Sequence, residues 1–297
     1  MAPLLAPALA LIVAACSSGG AVPTQSASPS GIPSAAPTST PVPAGTVEHK
    51  TGATDIVLRY SEGGGFIMPA FQATQAPFFT LYGNGTVVFR NPMLEPPAAQ
   101  GSVAPFSPMR TATLTEEQIQ ALLVRALGDG GLAAARARYD NPMVADAGTA
   151  EFAIDAGGIT KTVSVYALGM DSQGGADAPA RAAFQKLAAR LSDFDQGGTF
   201  PSQVYTPTSY RAILLESPGI VAPDIRDWPW ASVKVEEFKP DADPNGLQFP
   251  HRTMSADEIG QLKLTGIEGG FQGLVLKGPA GKLYTLSVRP LLPGDAG

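Results

Sequence analysis

Alternating apolar and polar positions predict several strands in the first half of this chain. Asp55–Ser61 (DIVLRYS) is predicted as one strand, and Phe79–Arg90 (FTLYGNGTVVFR) as a hairpin. The hairpin should turn at Asn84-Gly85, a pair that favours a type I′ turn because both residues accept positive φ.

The same alternation predicts strands further along. Ala150–Asp155 and Thr160–Leu168 form a second predicted hairpin around Gly157-Gly158. In the second half, Tyr210–Ser217 and Ser232–Phe238 are predicted strands.

Two segments show helical spacing instead. Thr115 and Gln118 form a capping box, in which the hydroxyl caps the helix and the amide reaches back to the cap. Asp177 is predicted to cap another helix. The predicted buried faces of the two helices are Ile119, Leu122, Leu123, Ala126 and Leu127, and Ala180, Phe184, Leu187, Leu191 and Phe194.

The second half repeats features of the first. Thr113–Ile119 aligns without gaps with Thr253–Ile259, and each segment places a hydroxyl three residues before Gln or Glu. Thr162–Leu168 aligns in the same way with Thr285–Leu291. We therefore expect an α+β fold of two related, mostly antiparallel sheet-plus-helix units.

The N-terminus carries the longest apolar run. Residues 2–15 are apolar over the length of a signal-peptide core, and the run ends in small residues before Cys16. Val13-Ala14-Ala15-Cys16 resembles the lipobox of bacterial lipoproteins. The resemblance implies cleavage between Ala15 and Cys16, and covalent lipid on the Cys16 sulfur.

A segment poor in large apolar residues follows. Residues 17–46 are almost entirely Ser, Gly, Ala, Pro and Thr, and none is charged, so they cannot bury enough apolar surface to fold. We expect a signal peptide over residues 1–15, a lipid-anchored disordered tether over 16–50, and α+β units over 51–200 and 201–297. The expected location is the extracytoplasmic face of the cell membrane.

Composition narrows the expected chemistry. The net charge is −6, which disfavours nucleic acid as a partner because there is no basic excess to neutralise phosphates. Cys16 is the single cysteine, so the chain can form neither an internal disulfide nor a cysteine zinc site. We expect no cofactor apart from the lipid on Cys16.

Motifs for catalysis or metal binding are sparse. The chain has no G-x-S-x-G and no H-E-x-x-H, and His251 is the one histidine placed to serve as a base. Asp241, Asp243 and Asn245 match the opening of a calcium loop, although its last position holds Arg252 where such loops have Glu. A solvated turn explains the same residues.

Trp228 and Trp230 are the two tryptophans of the chain. They are predicted as core anchors of the second unit, and the alternative is an exposed binding edge.

The body resembles uncharacterised secreted proteins of high-GC bacteria in the stretches DIVLRYSEGGGF, FTLYGNGTVVF and SVRPLLP. This resemblance implies a shared fold. The leading functional hypothesis is a non-enzymatic lipoprotein that binds another protein or a cell-wall component. The alternatives are an extracytoplasmic hydrolase with unrecognised motifs and the solute-binding component of a transporter.

Overall fold

The structure, a computed structural model, describes residues 46–66, 69–170, 175–240 and 249–295, without the side chains of Pro69 and Ala70. The predicted lipidation and cleavage sites, Cys16 and Ala15, lie outside these ranges, as do the calcium-loop candidates Asp241, Asp243 and Asn245. The described residues belong to one compact unit. They form two mostly antiparallel sheets with accompanying helices, so the predicted α+β class is confirmed.

The first sheet has eight strands in the order β6-β8-β7-β1-β2-β3-β5-β9. Neighbouring strands are antiparallel except β6 and β8, which are parallel. The strands are β1 (Ile56–Gly64), β2 (Phe79–Tyr82), β3 (Thr86–Phe89), β5 (Arg110–Thr113), β6 (Arg138–Tyr139), β7 (Gly148–Ala156), β8 (Ile159–Tyr166) and β9 (Gln203–Val204).

One face of this sheet carries the largest core. Alternate side chains of β7 and β8 enter it, and Phe152 and Val163 are fully buried there. The helices α2 (Glu116–Leu127) and α3 (Ala178–Ser192) supply predicted apolar residues to this core. Each large apolar side chain buried in this way contributes about 1.5–3 kcal/mol. A short helix, α1 (Pro69–Ala73), precedes β2 and was not predicted.

The two predicted caps differ in outcome. The Thr115–Gln118 capping box is confirmed, because both of its hydrogen bonds form. Asp177 stands at the N-cap position of α3 but makes no capping hydrogen bond. Its carboxylate instead contacts the Arg136 guanidinium at 2.6 Å, so the prediction that the Asp177 side chain caps α3 is wrong.

The first hairpin is confirmed, but the type I′ turn is wrong. Leu81 pairs with Val87, which leaves the three-residue loop Gly83–Gly85 between the strands. Only Gly85 in this loop has positive φ, at 85°, and its N–H donates to the carbonyl of Tyr82. Such loops combine a type I turn with one left-handed residue. The second hairpin does turn through two residues of positive φ, Gly157 and Gly158.

The second sheet has the order β11-β13-β14-β10-β12, and the two-residue strand β4 joins it by pairing with β13. All pairs are antiparallel except β11 with β13. The strands are β4 (Ala104–Pro105), β10 (Ser209–Glu216), β11 (Ile225–Asp227), β12 (His251–Ser255), β13 (Phe271–Lys277) and β14 (Leu283–Pro290).

The core of the second sheet contains the short helix α4 (Ala256–Gly260) through Ile259. The predicted strand over Ser232–Phe238 is wrong: Val235–Glu237 is a 3-10 turn. Val233 and Phe238, which lie on either side of this turn, are both buried in the core of the second sheet together with Trp230.

The two halves share a layout but differ in chain order. Across each sheet the order is a parallel edge strand, a hairpin, the first long strand of that half, and then the strand that precedes the capped helix. In the first sheet these are β6, the hairpin β7–β8, β1 and, beyond β2 and β3, β5. In the second sheet they are β11, the hairpin β13–β14, β10 and β12. The α4 capping box forms between Ser255 and Glu258, as its α2 counterpart does. However, β1 neighbours the first strand of its hairpin, β7, whereas β10 neighbours the second, β14. The aligned strands β8 and β14 therefore occupy different places.

The sheets are joined through the other face of the first sheet. Tyr82 and Val88 of this face contact Leu292, which follows β14. Beside them, Asp295 accepts hydrogen bonds from Arg59 of β1 at 2.8 Å and from Arg289 of β14 at 3.3 Å. The Asp295 side chain is only 7% exposed, so one buried carboxylate connects two arginines from different sheets.

Candidate functional site

An apolar cavity of about 330 Å³ opens beside the start of β2 and the end of β3. We call it the Arg90 pocket. Its walls come from the chain around α1, from the segment after β3 and from the segment between β4 and β5. The main apolar lining residues are Phe71, Phe78, Leu94, Phe106, Met109, Pro92, Pro96, Pro105 and Pro108.

Arg90 carries the only charge among the described residues that line this pocket. Its Nη2 donates to the carbonyl of Ala76 at 2.5 Å, and its guanidinium lies 4.8 Å from the centre of the Phe78 ring. Burial lowers the pKa of Arg90 to about 10, and the Glu62 carboxylate acts in the opposite direction. The guanidinium is therefore charged at neutral pH.

Arg90 has no ion-pair partner within the described ranges of the chain. Glu62 acts on it from beyond ion-pair distance, and the Glu62 carboxylate accepts a hydrogen bond from the hydroxyl of Tyr60. Buried arginines are normally paired with carboxylates, because an unpaired buried charge is unfavourable. The pocket thus holds a cation whose counter-charge the described chain does not supply.

Three other polar side chains of the pocket, Thr74, Asn91 and Ser107, already make hydrogen bonds within the protein. Thr74 donates to the carbonyl of Phe71, and its hydroxyl accepts from Gln272. Asn91 donates to the buried carboxylate of Asp195 at 2.8 Å, and Ser107 donates to the carbonyl of Leu94. These contacts hold the walls in place.

Gln75 connects the pocket to a second, polar depression. Its Oε1 atom is buried and has no hydrogen-bond partner among the residues that the structure describes. Gln75 lines the Arg90 pocket and also a cavity of about 510 Å³ over the ends of β1, β7 and β8, which we call the polar cleft. Its polar residues include Ser61, Thr149, Glu151, Ser164, Tyr166 and Arg138.

Ordinary surface contacts account for the charges in the polar cleft. Arg138 pairs with Asp140 at 2.7 Å, and Ser164 donates to Glu151 at 3.3 Å. The Arg138–Asp140 ion pair is largely exposed, where such a pair contributes little to stability, and the Ser164–Glu151 hydrogen bond is exposed as well. The cleft is a hydrogen-bonding surface that continues outward from the pocket.

The tryptophans lie elsewhere, in the core of the second sheet. Trp230 is 4% exposed and donates its indole N–H to the carbonyl of Glu258 at 2.7 Å. Trp228 is half-buried, donates to the carbonyl of Val233 and contacts Trp230 edge to face. Trp230 therefore belongs to the core of the second sheet, and the partly buried Trp228 packs against this core.

His251 begins β12 in the second sheet and lines neither the Arg90 pocket nor the polar cleft. Its Nδ1 lies 3.0 Å from the carbonyl oxygen of Phe249. Within the described ranges, no three His, Cys, Asp or Glu side chains converge as a metal ion would require. In the same part of the chain, no helix is both long enough and apolar enough to cross a membrane.

Comparison with known proteins adds no assignment: no protein-family model, curated protein or solved structure matches this chain significantly.

The sequence interpretation did not identify Arg90. A signal exists, because Arg90 directly follows the apolar run of β3 and shares the face of Val88 by alternation. The prolines from Pro92 to Pro108 are a second signal, since four of these five residues form pocket walls without N–H donors. Neither signal reveals that the guanidinium lacks a counter-ion.

Proposed function

We propose that this chain is a membrane-anchored extracytoplasmic lipoprotein whose body is a non-enzymatic binding module. The Arg90 pocket is its binding site, and the ligand is a small molecule or the apolar part of a larger envelope component. The single observation that carries this proposal is an unpaired guanidinium inside a cavity with apolar walls.

The size and lining of the pocket support binding. A volume of about 330 Å³ lies at the lower end of the range for small-molecule sites, roughly 300–1,000 Å³. Such sites combine apolar walls with a few polar groups that fix orientation. Here Arg90 and Gln75 retain unused hydrogen-bonding capacity, whereas Thr74, Asn91 and Ser107 are engaged within the protein.

The anchor rests on sequence. The apolar run before Cys16 has signal-peptide length, and the resemblance of Val13–Cys16 to a lipobox supports lipidation. Two or more acyl chains anchor a protein stably, whereas one chain binds reversibly.

Membrane attachment can be tested with Cys16→Ser. We expect this variant to leave the membrane fraction and to lose incorporation of labelled fatty acid, while the control Ser18→Ala retains both. Unchanged fractionation of Cys16→Ser, with no label on the wild-type protein, would contradict the anchor.

Binding in the pocket can be tested with the fluorescent amphiphile 1-anilinonaphthalene-8-sulfonate. We expect saturable one-to-one binding to the folded protein, because the probe combines an aromatic body with one anionic group. Leu94→Trp should block the cavity and abolish this binding. Val221→Trp is the matched control, since Val221 is 96% exposed and does not line the pocket. Equal binding by both variants would place the ligand elsewhere.

A further inference from the structure

The Arg90 pocket has the features of a site for one particular ligand class. We infer that it binds an amphipathic monocarboxylate: an unbranched aliphatic chain of medium length that ends in a carboxylate paired with Arg90. This inference rests on the proposed function and names the ligand of the same site.

The charge of the pocket selects an anion. Arg90 is the only charged lining residue that the structure describes, and a single bond to the Ala76 carbonyl leaves most of its N–H groups unused. A guanidinium matches the planar, bidentate geometry of a carboxylate. A cationic headgroup would be repelled at the same place.

The number of charges favours a carboxylate over a phosphate monoester. A carboxylate brings one negative charge, which Arg90 neutralises, whereas a phosphate monoester brings close to two at neutral pH. The excess would be buried without a partner and would face the field of Glu62, which already acts on Arg90. Phosphate sites usually add backbone N–H groups or further cations.

The walls favour an aliphatic chain over a sugar. Four prolines line the pocket, and proline has no backbone N–H to offer a hydroxyl-rich ligand. Thr74, Asn91 and Ser107 already bond to protein groups, whereas Gln75 offers one unpaired acceptor atom against the several hydroxyls of a sugar. The remaining surface comes from side chains such as Phe71, Leu94 and Met109, which gain from contact with methylenes.

Calorimetric titration of the full chain carrying Cys16→Ser, purified without detergent, tests the inference. The probes are sodium octanoate, decanoate and dodecanoate, with decanol, decyl phosphate and decyltrimethylammonium for comparison. We expect one-to-one binding of decanoate, on the order of tenfold tighter than decanol, because a charge-assisted hydrogen bond is added. Each added methylene should tighten binding by up to about fourfold until the cavity is full.

Variants at Arg90 test how much its positive charge contributes to the binding of decanoate. Arg90→Met should bring the decanoate and decanol affinities together and leave decanol binding intact, whereas Arg90→Lys should retain a preference for decanoate. The control Arg125→Met, on the exposed side of α2, should behave as the wild type.

Specific results would overturn the inference. Equal wild-type affinity for decanoate and decanol, tighter binding of decyl phosphate, or a preference that persists in Arg90→Met would each reject the monocarboxylate. In those cases the proposed binding function survives, because the pocket still takes a ligand. Failure of every probe, including 1-anilinonaphthalene-8-sulfonate, would reject both.

Discussion

At the scale of single residues, Arg90 occupies a position where an apolar side chain would suit the fold better. It follows Val88 on one side of the strand, lies against the Phe78 ring and has no ion-pair partner in the described chain. Functional sites often retain groups that lower stability.

Replacing Arg90 with Met should therefore stabilise the protein. The pKa of Arg90 is lowered in the folded state, so holding the charged form is unfavourable at every pH below about 10. We expect Arg90→Met to raise the free energy of unfolding in urea at pH 7 by about 1 kcal/mol. Arg125→Met should change it by less than about 0.5 kcal/mol. A large loss of stability in Arg90→Met would show that Arg90 supports the fold.

Residue-level prediction from sequence succeeded where burial follows from size. Trp230 is a large aromatic beside a strand, and it is core. Arg90 could not be recognised as a site residue from sequence, because its role depends on the described part of the folded chain placing no carboxylate within ion-pair distance of it. Glu62 and Asp195 are both near this region of the fold, yet neither pairs with Arg90.

At the scale of elements, local interactions were the most predictable. The capping boxes of α2 and α4 depend on residues three positions apart, and both form. The turn of the first hairpin depends on register, since pairing of Leu81 with Val87 sets a three-residue loop. Register is a property of two strands, so Asn84-Gly85 alone could not fix it.

Gly85→Ala tests this loop. Gly85 has a φ of 85°, and an added Cβ would lie 2.7 Å from the carbonyl oxygen of Leu114. We expect urea unfolding to show a loss of about 2 to 3 kcal/mol from backbone strain and this clash. Gly158→Ala is the control: its φ of 72° is also positive, but the added Cβ meets nothing within 4 Å. It should lose about 1 kcal/mol, and equal losses would mean that the clash relaxes freely.

Because of the capping box of α4, the free energy of unfolding should decrease at acidic pH. Hydrogen bonding to Arg252 holds the pKa of Glu258 below its usual 4.5, with a further contribution from the Ser255 backbone. A carboxyl group with a lowered folded pKa stabilises the fold above its unfolded pKa, and this stabilisation is lost as pH falls through the folded value.

Glu258→Gln keeps a capping oxygen and removes the charge. We expect a loss of about 0.5 to 1 kcal/mol at pH 7, since the contact is partly solvated, and a smaller decline in stability between about pH 5 and pH 3. Urea unfolding at several pH values measures both. Glu117→Gln, an exposed change in α2, should leave the acid dependence unchanged. An unaltered decline in Glu258→Gln would contradict the assignment.

At the scale of the whole molecule, the two-sheet plan was predictable but the connection between the sheets was not. Alternating apolar patterns indicate strands, whereas nothing local relates Arg59 to Asp295, which lie at opposite ends of the folded chain. The two halves also exchange short strands: β4 of the first half pairs in the second sheet, and β9 of the second half pairs in the first sheet. This exchange escaped prediction, because β4 and β9 have two residues each and leave no periodic signal.

Asp295→Asn tests the connection. It leaves Arg59 and Arg289 adjacent without their carboxylate, and burial already lowers the pKa of Arg289. We expect a loss of about 2 to 3 kcal/mol, because a mostly buried ion pair is broken. The exposed change Asp257→Asn should lose less than about 0.5 kcal/mol.

The tryptophans make this experiment specific to one sheet. Trp230 lies in the core of the second sheet and Trp228 packs against that core, so their fluorescence reports that sheet, whereas far-ultraviolet circular dichroism reports both sheets. The two signals should coincide during wild-type unfolding and separate in Asp295→Asn. Coincident transitions with unchanged stability would show that the Asp295 contacts do not couple the sheets.

The exchange of short strands also bears on the order in which the chain can fold during synthesis. β4 pairs with β13, near Phe271, so Ala104 and Pro105 have no partner strand until most of the chain has left the ribosome. β9 completes the first sheet only after α3 has been made. Nascent chains usually fold domain by domain from the N-terminus. Here the first sheet should gain its last edge strand only after Val204 of β9 has left the ribosome, and the Pro105 wall of the Arg90 pocket should be fixed only after Phe271 of β13 has done so.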